Sequence, residues 1–380
     1  MRRWGPLLTP MVLLFVAAVR AEPLPRFHGL GDLPGGRYYS AAGGISPDGY
    51  FVAGESSSAN GGYEAFLWSP ETGMIGLGDL PGGGFYSVGL GVSADGRVVC
   101  GESRGARGFR AFRWTPEGGM EDLGVLPGTG SDSKAHDVSA DGKVIVGYSD
   151  IGRTVEAFRW TAEEGMVGLG DLPGGMHRSA AIAVSPDARF IVGDSSSAAH
   201  PDAEAFLWTA GQGMTGLGVL PGGAYSGASA VTPDGRVVVG CGHWVPGDHA
   251  FRWTEETGMV DLGTLPGEYA DSMAWDVSGD GSIVVGFSRS IEGQDAFIWD
   301  EQNGMRSLED YLTELGIDYD GWDLLSATHI SDDGRVIVGW GTNPQGWTEA
   351  FRVVIPEPGT LVLLIGVSLG GSTLSRRRMR

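Results

Sequence analysis

A unit of about 46 residues occurs seven times along this chain of 380 residues. A repeat of that period constrains the architecture more strongly than local propensities do. Each copy contains a Ser/Thr-x-Asp turn, whose aspartate recurs at Asp48, Asp95, Asp141, Asp187, Asp234, Asp280 and Asp333. A second motif, Ala-Phe-x-Trp, keeps the same spacing and ends at Trp68, Trp114, Trp160, Trp208, Trp253 and Trp299, with Val353 in the last copy. The chain is therefore an array of similar structural units.

One unit, residues 135–173, shows what each copy forms. Asp141-Gly142 lies between two apolar runs, and Asp-Gly is a strong hairpin signal because glycine adopts a positive φ without strain. The Ala-Phe-Arg-Trp segment and the run from Met166 predict two further strands. Four short antiparallel strands per unit are typical of a propeller blade. The sequence predicts a seven-bladed, all-β propeller of four-stranded antiparallel blades, with a helix only in an insert at residues 307–326 of the last unit.

The two ends of the repeated region complement one another. The chain starts with a lone fourth-strand motif around Gly29 and finishes on a third strand, Ala350 to Val353. Pairing residues 27–33 with residues 349–354 would complete the seventh blade and remove two open sheet edges. We therefore expect a closed ring.

Composition excludes several classes of partner and cofactor. The formal net charge is -21, and such a polyanion repels nucleic acid and anionic lipid. Cys100 and Cys241 fall on distant blades, too far apart for a disulfide, and no zinc-type Cys/His spacing occurs. The segments starting at Asp137 and Asp276 resemble calcium loops but lack the bidentate glutamate. No cofactor is predicted, and calcium is unsupported at named residues.

The sequence predicts a sorting signal at each terminus. Residues 1–21 combine basic residues, a short apolar run and small residues before the cleavage point, which predicts a secretory signal peptide. The propeller domain then spans 22–355. The tail, residues 356–380, contains Pro-Glu-Pro, an apolar run and an arginine cluster, in the order Pro356, Glu357, Pro358, Arg376, Arg377 and Arg378.

This tail resembles the PEP-CTERM sorting signal. The resemblance implies an exosortase-type enzyme as partner, transient anchoring in the inner membrane, and release to the surface of a bacterium that makes extracellular polysaccharide. A plain C-terminal membrane anchor is the alternative. The repeated unit itself, with Ala-Phe-x-Trp, Gly-Met, Leu-Gly-x-Leu-Pro-Gly-Gly and Ser-x-Asp-Gly, resembles the HAF family of extracellular repeats. That resemblance implies export but carries no agreed activity.

Candidate functional positions lie where the copies differ. The turns are not sialidase Asp-boxes, since no copy continues as Asp-x-Gly-x-x-Trp. The unlike loops between the second and third strands are 55–64, 102–110, 148–156, 194–204, 241–249, 287–295 and 340–349. Their aromatic residues Trp244, Trp340 and Trp347 are candidates for ligand binding, since exposed aromatic faces suit carbohydrate. His243 and His249 share one loop but lack a third metal ligand.

These observations favour an exported, non-enzymatic scaffold or binding protein, associated with surface polysaccharide or an envelope protein. The alternative is a polysaccharide-acting hydrolase or lyase that uses acids in the central channel. A propeller enzyme should show unrepeated acids, bases or metal ligands superimposed on the repeat, and we expect only the loops to hold such residues.

Overall fold

The chain folds into seven four-stranded antiparallel sheets arranged as the blades of a propeller. The computed structural model describes residues 26–244, 247–267, 271–289 and 293–356. The first element, β1 (Arg26–Gly29), belongs to the last blade. Blade 1 contains β2 (Ser40–Ile45), β3 (Val52–Ser57), β4 (Tyr63–Ser69) and β5 (Gly73–Gly76). Blade 2 contains β6 (Gly82–Val92), β7 (Val99–Gly105), β8 (Gly108–Thr115) and β9 (Gly119–Asp122).

The next three blades follow the same order from the channel outward. Blade 3 contains β10 (Ser133–Val138), β11 (Ile145–Asp150), β12 (Val155–Thr161) and β13 (Gly165–Gly168). Blade 4 contains β14 (Ser179–Val184), β15 (Ile191–Ser195), β16 (Glu204–Thr209) and β17 (Gly213–Gly216). Blade 5 contains β18 (Ser226–Val231), β19 (Val238–Trp244), β20 (Gly247–Thr254) and β21 (Gly258–Asp261).

The last two blades flank the insert. Blade 6 contains β22 (Ser272–Val277), β23 (Ile283–Arg289), β24 (Gln294–Asp300) and β25 (Gly304–Ser307). The predicted helix α1 (Leu308–Glu314) follows, with Ser307 as its N-cap. Blade 7 contains β26 (Asp323–Ile330), β27 (Val336–Thr342) and β28 (Thr348–Val354), and its outer strand is β1. The predicted propeller, its strand count and its closure are confirmed.

The repeated Ser/Thr-x-Asp turns close the hairpins between the first two strands of each blade. In blade 3, Ser139 Oγ donates to Asp141 Oδ1 at 2.8 Å and accepts from Val144 N at 3.0 Å, while Lys143 N donates to Asp141 Oδ1 at 3.1 Å. The side chains of the turn thus accept the hydrogen bonds of its own backbone N–H groups. The repeated aspartates are therefore hairpin residues.

The core lies between neighbouring blades. The phenylalanine of every Ala-Phe motif has no exposed surface: Phe66, Phe112, Phe158, Phe206, Phe251, Phe297 and Phe351. The glycine of the second strand makes room for this ring, since a Cβ on Gly54 would lie 2.6 Å from Phe66 Cζ and 2.1 Å from the carbonyl oxygen of Ala41. Repetition of Gly and Phe thus reflects one packing solution used seven times.

Serine side chains join adjacent blades. Ser133 Oγ accepts from Ala111 N at 3.0 Å and donates to the carbonyl oxygen of Gly124 at 2.6 Å. Six of the seven blade junctions have this bridge, from Ser40, Ser87, Ser133, Ser179, Ser226 and Ser272. At the seventh junction the insert replaces it, and α1 buries Leu308 and Leu312 in a cluster with Trp322.

Closure follows the predicted pairing. Phe27 lies opposite Val353 and Gly29 opposite Phe351 in an antiparallel register, and Leu30 N donates to the carbonyl oxygen of Ala350 at 2.8 Å. Cys100 and Cys241 are both free, as expected. The predicted signal peptide, and Glu357, Pro358 and Arg376 to Arg378 of the predicted sorting tail, lie outside the described residues, which end at Pro356. In the part that is described, none of the helices is long and apolar enough to cross a membrane.

Candidate functional site

In each blade, the loop residues that differ between the copies of the repeat lie on one face of the ring. This loop face carries the loops between the second and third strands and the connections that enter the innermost strands, while the turn face carries the Asp-Gly turns. The position after the second-strand glycine holds six different residue types in the seven blades and is half-buried throughout: Glu55, Glu102, Tyr148, Asp194, Cys241, Phe287 and Trp340. The seven predicted variable loops all begin at this position, so the predicted site region lies together on the loop face.

The three predicted tryptophans lie on two blades of this face. Trp340 is half-buried on β27. Trp347 is 47% exposed, in a loop held by a hydrogen bond from Trp347 N to Asn343 Oδ1 at 3.0 Å. Trp244 ends β19 in blade 5, and its side chain lies outside the described part of the chain. The structure thus brings two of the three tryptophans to blade 7.

Trp347 begins a row of exposed and half-buried aromatic residues. Its ring stacks on Tyr38, with centroids 5.3 Å apart and an interplanar angle of 25°, and Tyr38 is 63% exposed. The row, defined by Trp347, Tyr38, Tyr39, Tyr63, Tyr86 and Phe109, crosses blades 7, 1 and 2, and neighbouring rings from Tyr39 onward lie 5.0, 6.3 and 5.5 Å apart.

Sequence reasoning missed the tyrosines of this aromatic row. Their signal was an aromatic residue directly before the bridging serine, as in Tyr39-Ser40 and Tyr86-Ser87. Tyr39 also donates its hydroxyl to Glu55 Oε1 at 3.0 Å. Burial and the nearby carboxylate of Glu55 raise the pKa of Tyr39, which keeps the phenol neutral and available as a hydrogen-bond donor.

The structure separates the two histidines considered as metal ligands. Gly242 is the cross-strand partner of His249, and His243 is the partner of Asp248, so the two imidazoles leave opposite faces of the sheet. His249 is buried, with Nδ1 2.9 Å from Asp261 Oδ1, while His243 lies against Tyr225 with ring centroids 5.4 Å apart. Across the described residues, no group of three His, Cys, Asp or Glu side chains could hold a metal ion.

The central channel holds the second group of unlike residues. It contains a cavity of about 310 Å³ lined by the innermost strands. Each of these strands carries a β-bulge. The residue at the bulge differs in all seven blades, and the position after it is aspartate in blades 3 and 6, histidine in blade 7 and glycine or alanine in the others. Besides Ser229, Trp275 and Thr328, the polar lining consists of titratable side chains from three blades: His136, Asp137, Asp276 and His329, with Asp332 from the adjoining turn.

These channel residues lie on two opposite sides. In a seven-membered ring, blade 3 faces the junction of blades 6 and 7, so His136 and Asp137 face Asp276 and His329. The arcs between them are mainly apolar, with residues such as Leu90 and Ile182. The expectation that only loops hold unrepeated acids and bases is wrong, because a bulge turns an innermost-strand residue toward the channel without disturbing the sheet.

Both channel aspartates bridge neighbouring blades. Asp137 accepts from Val138 N at 2.7 Å and from Val184 N at 2.8 Å. Asp276 accepts from Val277 N at 2.8 Å and from Ile330 N at 2.9 Å. Burial nevertheless raises the pKa of Asp137 to about 7 and that of Asp276 to about 8. Near neutral pH each carboxyl group is therefore partly protonated.

The channel histidines are neutral at that pH. Burial lowers the pKa of His136 to about 3 and that of His329 to about 4. Burial also raises the pKa of Asp332 to about 6. Such unlike titratable groups around one cavity are typical of functional sites.

Comparison with known proteins supports the fold. The chain resembles an oligogalacturonate lyase solved in complex with manganese, at 14% identity and a TM-score of 0.53, over 82% of this chain and 88% of that one. It also resembles the β-propeller domain of the Trilobed protease from Pyrococcus furiosus, described as having an open velcro topology, at 12% identity and a TM-score of 0.52, over 83% and 93%.

A third similar structure is TolB from Acinetobacter baumannii, at 12% identity and a TM-score of 0.47. The alignment covers 68% of this chain and 63% of the TolB chain. No protein-family profile matches the sequence, and no curated protein matches it. At these identities the likeness concerns the propeller fold alone.

Proposed function

We propose that this protein is an exported, non-enzymatic binding module of the cell surface or extracellular matrix that binds surface polysaccharide on its loop face. The aromatic row carries the proposal. Three of its members lie across blades 7 and 1 with large exposed fractions, Tyr38 at 63%, Trp347 at 47% and Tyr63 at 41%. Aromatic faces that remain exposed on a folded protein favour a binding role, since burial of such rings contributes most of the energy of many interfaces.

The arrangement of the row suits a chain-like ligand. The rings from Tyr39 to Phe109 approach within 5.0 to 6.3 Å, and Trp347 stacks on Tyr38 beside them. Sugar rings stack on aromatic faces through their apolar C–H groups. The Tyr39 hydroxyl and the carboxylate of Glu55 lie beside the row and can bond sugar hydroxyls. A polysaccharide could cover several of these rings at once.

The localisation of the protein is part of the same proposal. Residues 1–21 direct export, and the tail from Pro356 is held in the inner membrane until an exosortase-type enzyme cleaves it, leaving the arginines on the cytoplasmic side. Mass spectrometry of the natural protein tests this proposal. A mature chain that keeps Arg376 to Arg380 would contradict tail cleavage and favour a permanent anchor.

The binding proposal is tested on a glycan array with the purified protein. Trp347→Ala and Tyr38→Ala should each weaken binding by roughly 1 to 3 kcal/mol, the scale of one aromatic contact. Trp244→Ala tests whether the site extends to blade 5. Tyr50→Ala, on the turn face of blade 1, is the matched control and should bind like the parent. Glycan binding that is unchanged in both Trp347→Ala and Tyr38→Ala would show that the aromatic row is not the binding site.

A second candidate is a polysaccharide-acting hydrolase or lyase. The observation that favours it is the pair of buried aspartates on opposite sides of the channel. Their pKa values, raised to about 7 and about 8, allow one carboxyl group to be protonated while the other is ionised, as acid and base roles require. Release of reducing or unsaturated ends from a polysaccharide, lost in Asp137→Ala, would support the enzyme. A stable glycan complex without turnover supports the binding module.

A further inference from the structure

The lining of the central channel is acidic and has no basic counterpart. Three carboxyl groups line the cavity, from Asp137, Asp276 and Asp332, and none of the described lining residues is a lysine or an arginine. The whole chain carries a formal net charge of -21. A low-dielectric channel lined by one sign of charge concentrates ions of the opposite sign. Electrostatics therefore favours a positively charged ligand.

Two histidines in the same lining have unused hydrogen-bonding capacity. His136 Nε2 and His329 Nδ1 are buried and have no hydrogen-bond partner in the described structure. Both rings line the cavity, and both are neutral near pH 7 because burial lowers the pKa of each. A neutral imidazole can accept one hydrogen bond. A buried polar atom without a partner is costly, so a ligand with N–H donors would stabilise this arrangement.

The remaining lining suits an organic ligand better than a metal ion. Apolar residues such as Leu90, Ile182 and Ala183 separate the two polar sides, and Trp275 adds an aromatic surface. The cavity of about 310 Å³ is in the lower range of small-molecule pockets. The described residues also lack a group of three side chains that could ligate a metal. Carboxyl groups together with an aromatic ring are the usual recognition elements for ammonium groups.

We propose that the central channel binds a small organic ammonium compound. Its cationic group lies against Asp276 and Asp332 beside the Trp275 ring, its N–H groups donate to His329, and its apolar body fills the arcs toward blade 3. This site is separate from the aromatic row on the loop face, and it uses unrepeated residues of blades 3, 6 and 7.

Binding is coupled to proton release. Asp276 faces Asp137 and Asp332, and burial together with these two carboxyl groups raises its pKa. Asp137 faces His136 and Cys100, which stay uncharged because burial lowers the pKa of the imidazole and raises that of the thiol. An ammonium ion favours the ionised carboxylates, so affinity should rise roughly tenfold or more from about pH 6 to about pH 8.

Calorimetric titration of the full chain tests the proposal with 3,3-dimethylbutylamine and putrescine, both of which are cations with N–H donors near neutral pH. Their uncharged isosteres, dimethylbutanol and butanediol, are the matched controls. We expect millimolar or tighter binding of at least one cation, with proton uptake by the buffer, and no binding of the isosteres. Isosteres that bind as well as the cations, or the absence of binding by either cation at millimolar concentration, would overturn it.

Variants locate the site. Ser229→Trp fills the channel at the bulge position that already carries Trp275 in blade 6, so the backbone accommodates it, and it should abolish cation binding. Asp276→Ala should weaken binding at least roughly tenfold. Trp347→Ala, on the loop face, should leave it unchanged. Cation binding that persists in correctly folded Ser229→Trp protein, as judged by circular dichroism, would exclude the channel, and this result is independent of glycan binding.

Discussion

Ala188 is the one residue that replaces the Asp-Gly glycine in the seven hairpin turns. The other six turns place glycine at this position, with φ between 67° and 74°, and Ala188 has φ of 60°. Its amide makes the same turn bond, to the carbonyl oxygen of Ser185 at 2.8 Å. A side chain in the left-handed region costs about 1 kcal/mol relative to glycine. Blade 4 therefore retains its turn geometry with local strain.

Ala188→Gly should stabilise the protein by about 0.5 to 1 kcal/mol, because the released strain exceeds the loss of one half-buried methyl group. Urea denaturation followed by circular dichroism measures this. Gly334→Ala is the reverse control, since φ there is 71° and an added Cβ would lie no closer than 3.2 Å to Ile283, so its destabilisation reports backbone strain. An Ala188→Gly protein less stable than the parent would show that the backbone at Ala188 is not appreciably strained.

The channel aspartates predict a pH dependence of stability. A carboxyl group whose folded pKa lies above its unfolded value stabilises the fold below the unfolded pKa, and that contribution is lost as pH rises through the folded pKa. With folded pKa values of about 7 for Asp137 and about 8 for Asp276, stability should fall from about pH 4 to about pH 8, by on the order of 4 kcal/mol per group.

Asp276→Asn tests this dependence, since the amide cannot ionise. The difference in unfolding free energy between parent and variant should shift in favour of the variant as pH rises across that range. A difference that stays constant with pH would show that Asp276 does not titrate between these limits.

At the scale of elements, the blades use two ways to cap the loop that follows the outer strand. In blades 1, 3, 4 and 7, a glutamate at the start of the third strand accepts from a loop glycine, as Glu64 Oε1 does from Gly78 N at 3.1 Å. In blades 2 and 5, an aspartate ending the outer strand does so, as Asp261 Oδ1 does from Gly263 N at 2.7 Å.

The two capping types exclude one another sterically. Where the glutamate caps, the outer strand ends in glycine, and a Cβ on Gly76 would lie 2.4 Å from Glu64 Oε1. Where the aspartate caps, the glutamate position holds Arg110 or His249, each of which pairs with that aspartate. One carboxylate per loop is needed, and either strand can supply it. This accounts for His249 without a metal.

Exchanging one type for the other tests this interpretation. Asp261→Gly alone should cost about 1 to 3 kcal/mol, because Gly263 N and His249 both lose their acceptor. Adding His249→Glu recreates the pair of blades 1, 3 and 4 and should restore most of that loss. A double-mutant cycle by urea denaturation gives the coupling energy. If the stability losses of Asp261→Gly and His249→Glu were additive in the double variant, the two capping types would not be interchangeable.

These elements also show what the sequence could reveal. Strand number, hairpins and closure followed from residues that repeat, because repeated residues carry backbone and core requirements. The helix followed from the insert of the last unit. Trp347, Asp137 and Asp276 were named from the sequence, but the tyrosines of the aromatic row and the grouping of the channel residues were not predicted, since Tyr38 meets Trp347 only after the ring closes. Asp276 likewise faces Asp137 only because blades three apart in sequence lie across the channel.

At the scale of the whole molecule, stability depends on the junction of the two ends. β1 supplies the outer strand of blade 7, and Phe27 packs on Phe351 and Trp322 with ring centroids 5.5 and 5.2 Å away. The same cluster contains Leu308 and Leu312 of α1. The similar Trilobed protease propeller is described as open, whereas this ring is closed through hydrogen bonds between its first and last strands.

Removing residues 26–33 should therefore destabilise the entire ring, because β28 becomes an open edge and the cluster around Phe351 loses its cover. We expect a lower melting temperature by calorimetry and a single, broader transition, whereas Tyr38→Ala, an exposed change just after this segment, should alter stability by less than about 0.5 kcal/mol. A synthetic peptide of residues 24–36 should raise the melting temperature of the truncated protein by pairing with β28, since a ligand that binds only the folded state stabilises it. Truncated protein that melts like the parent would show that the ring does not depend on its closing strand.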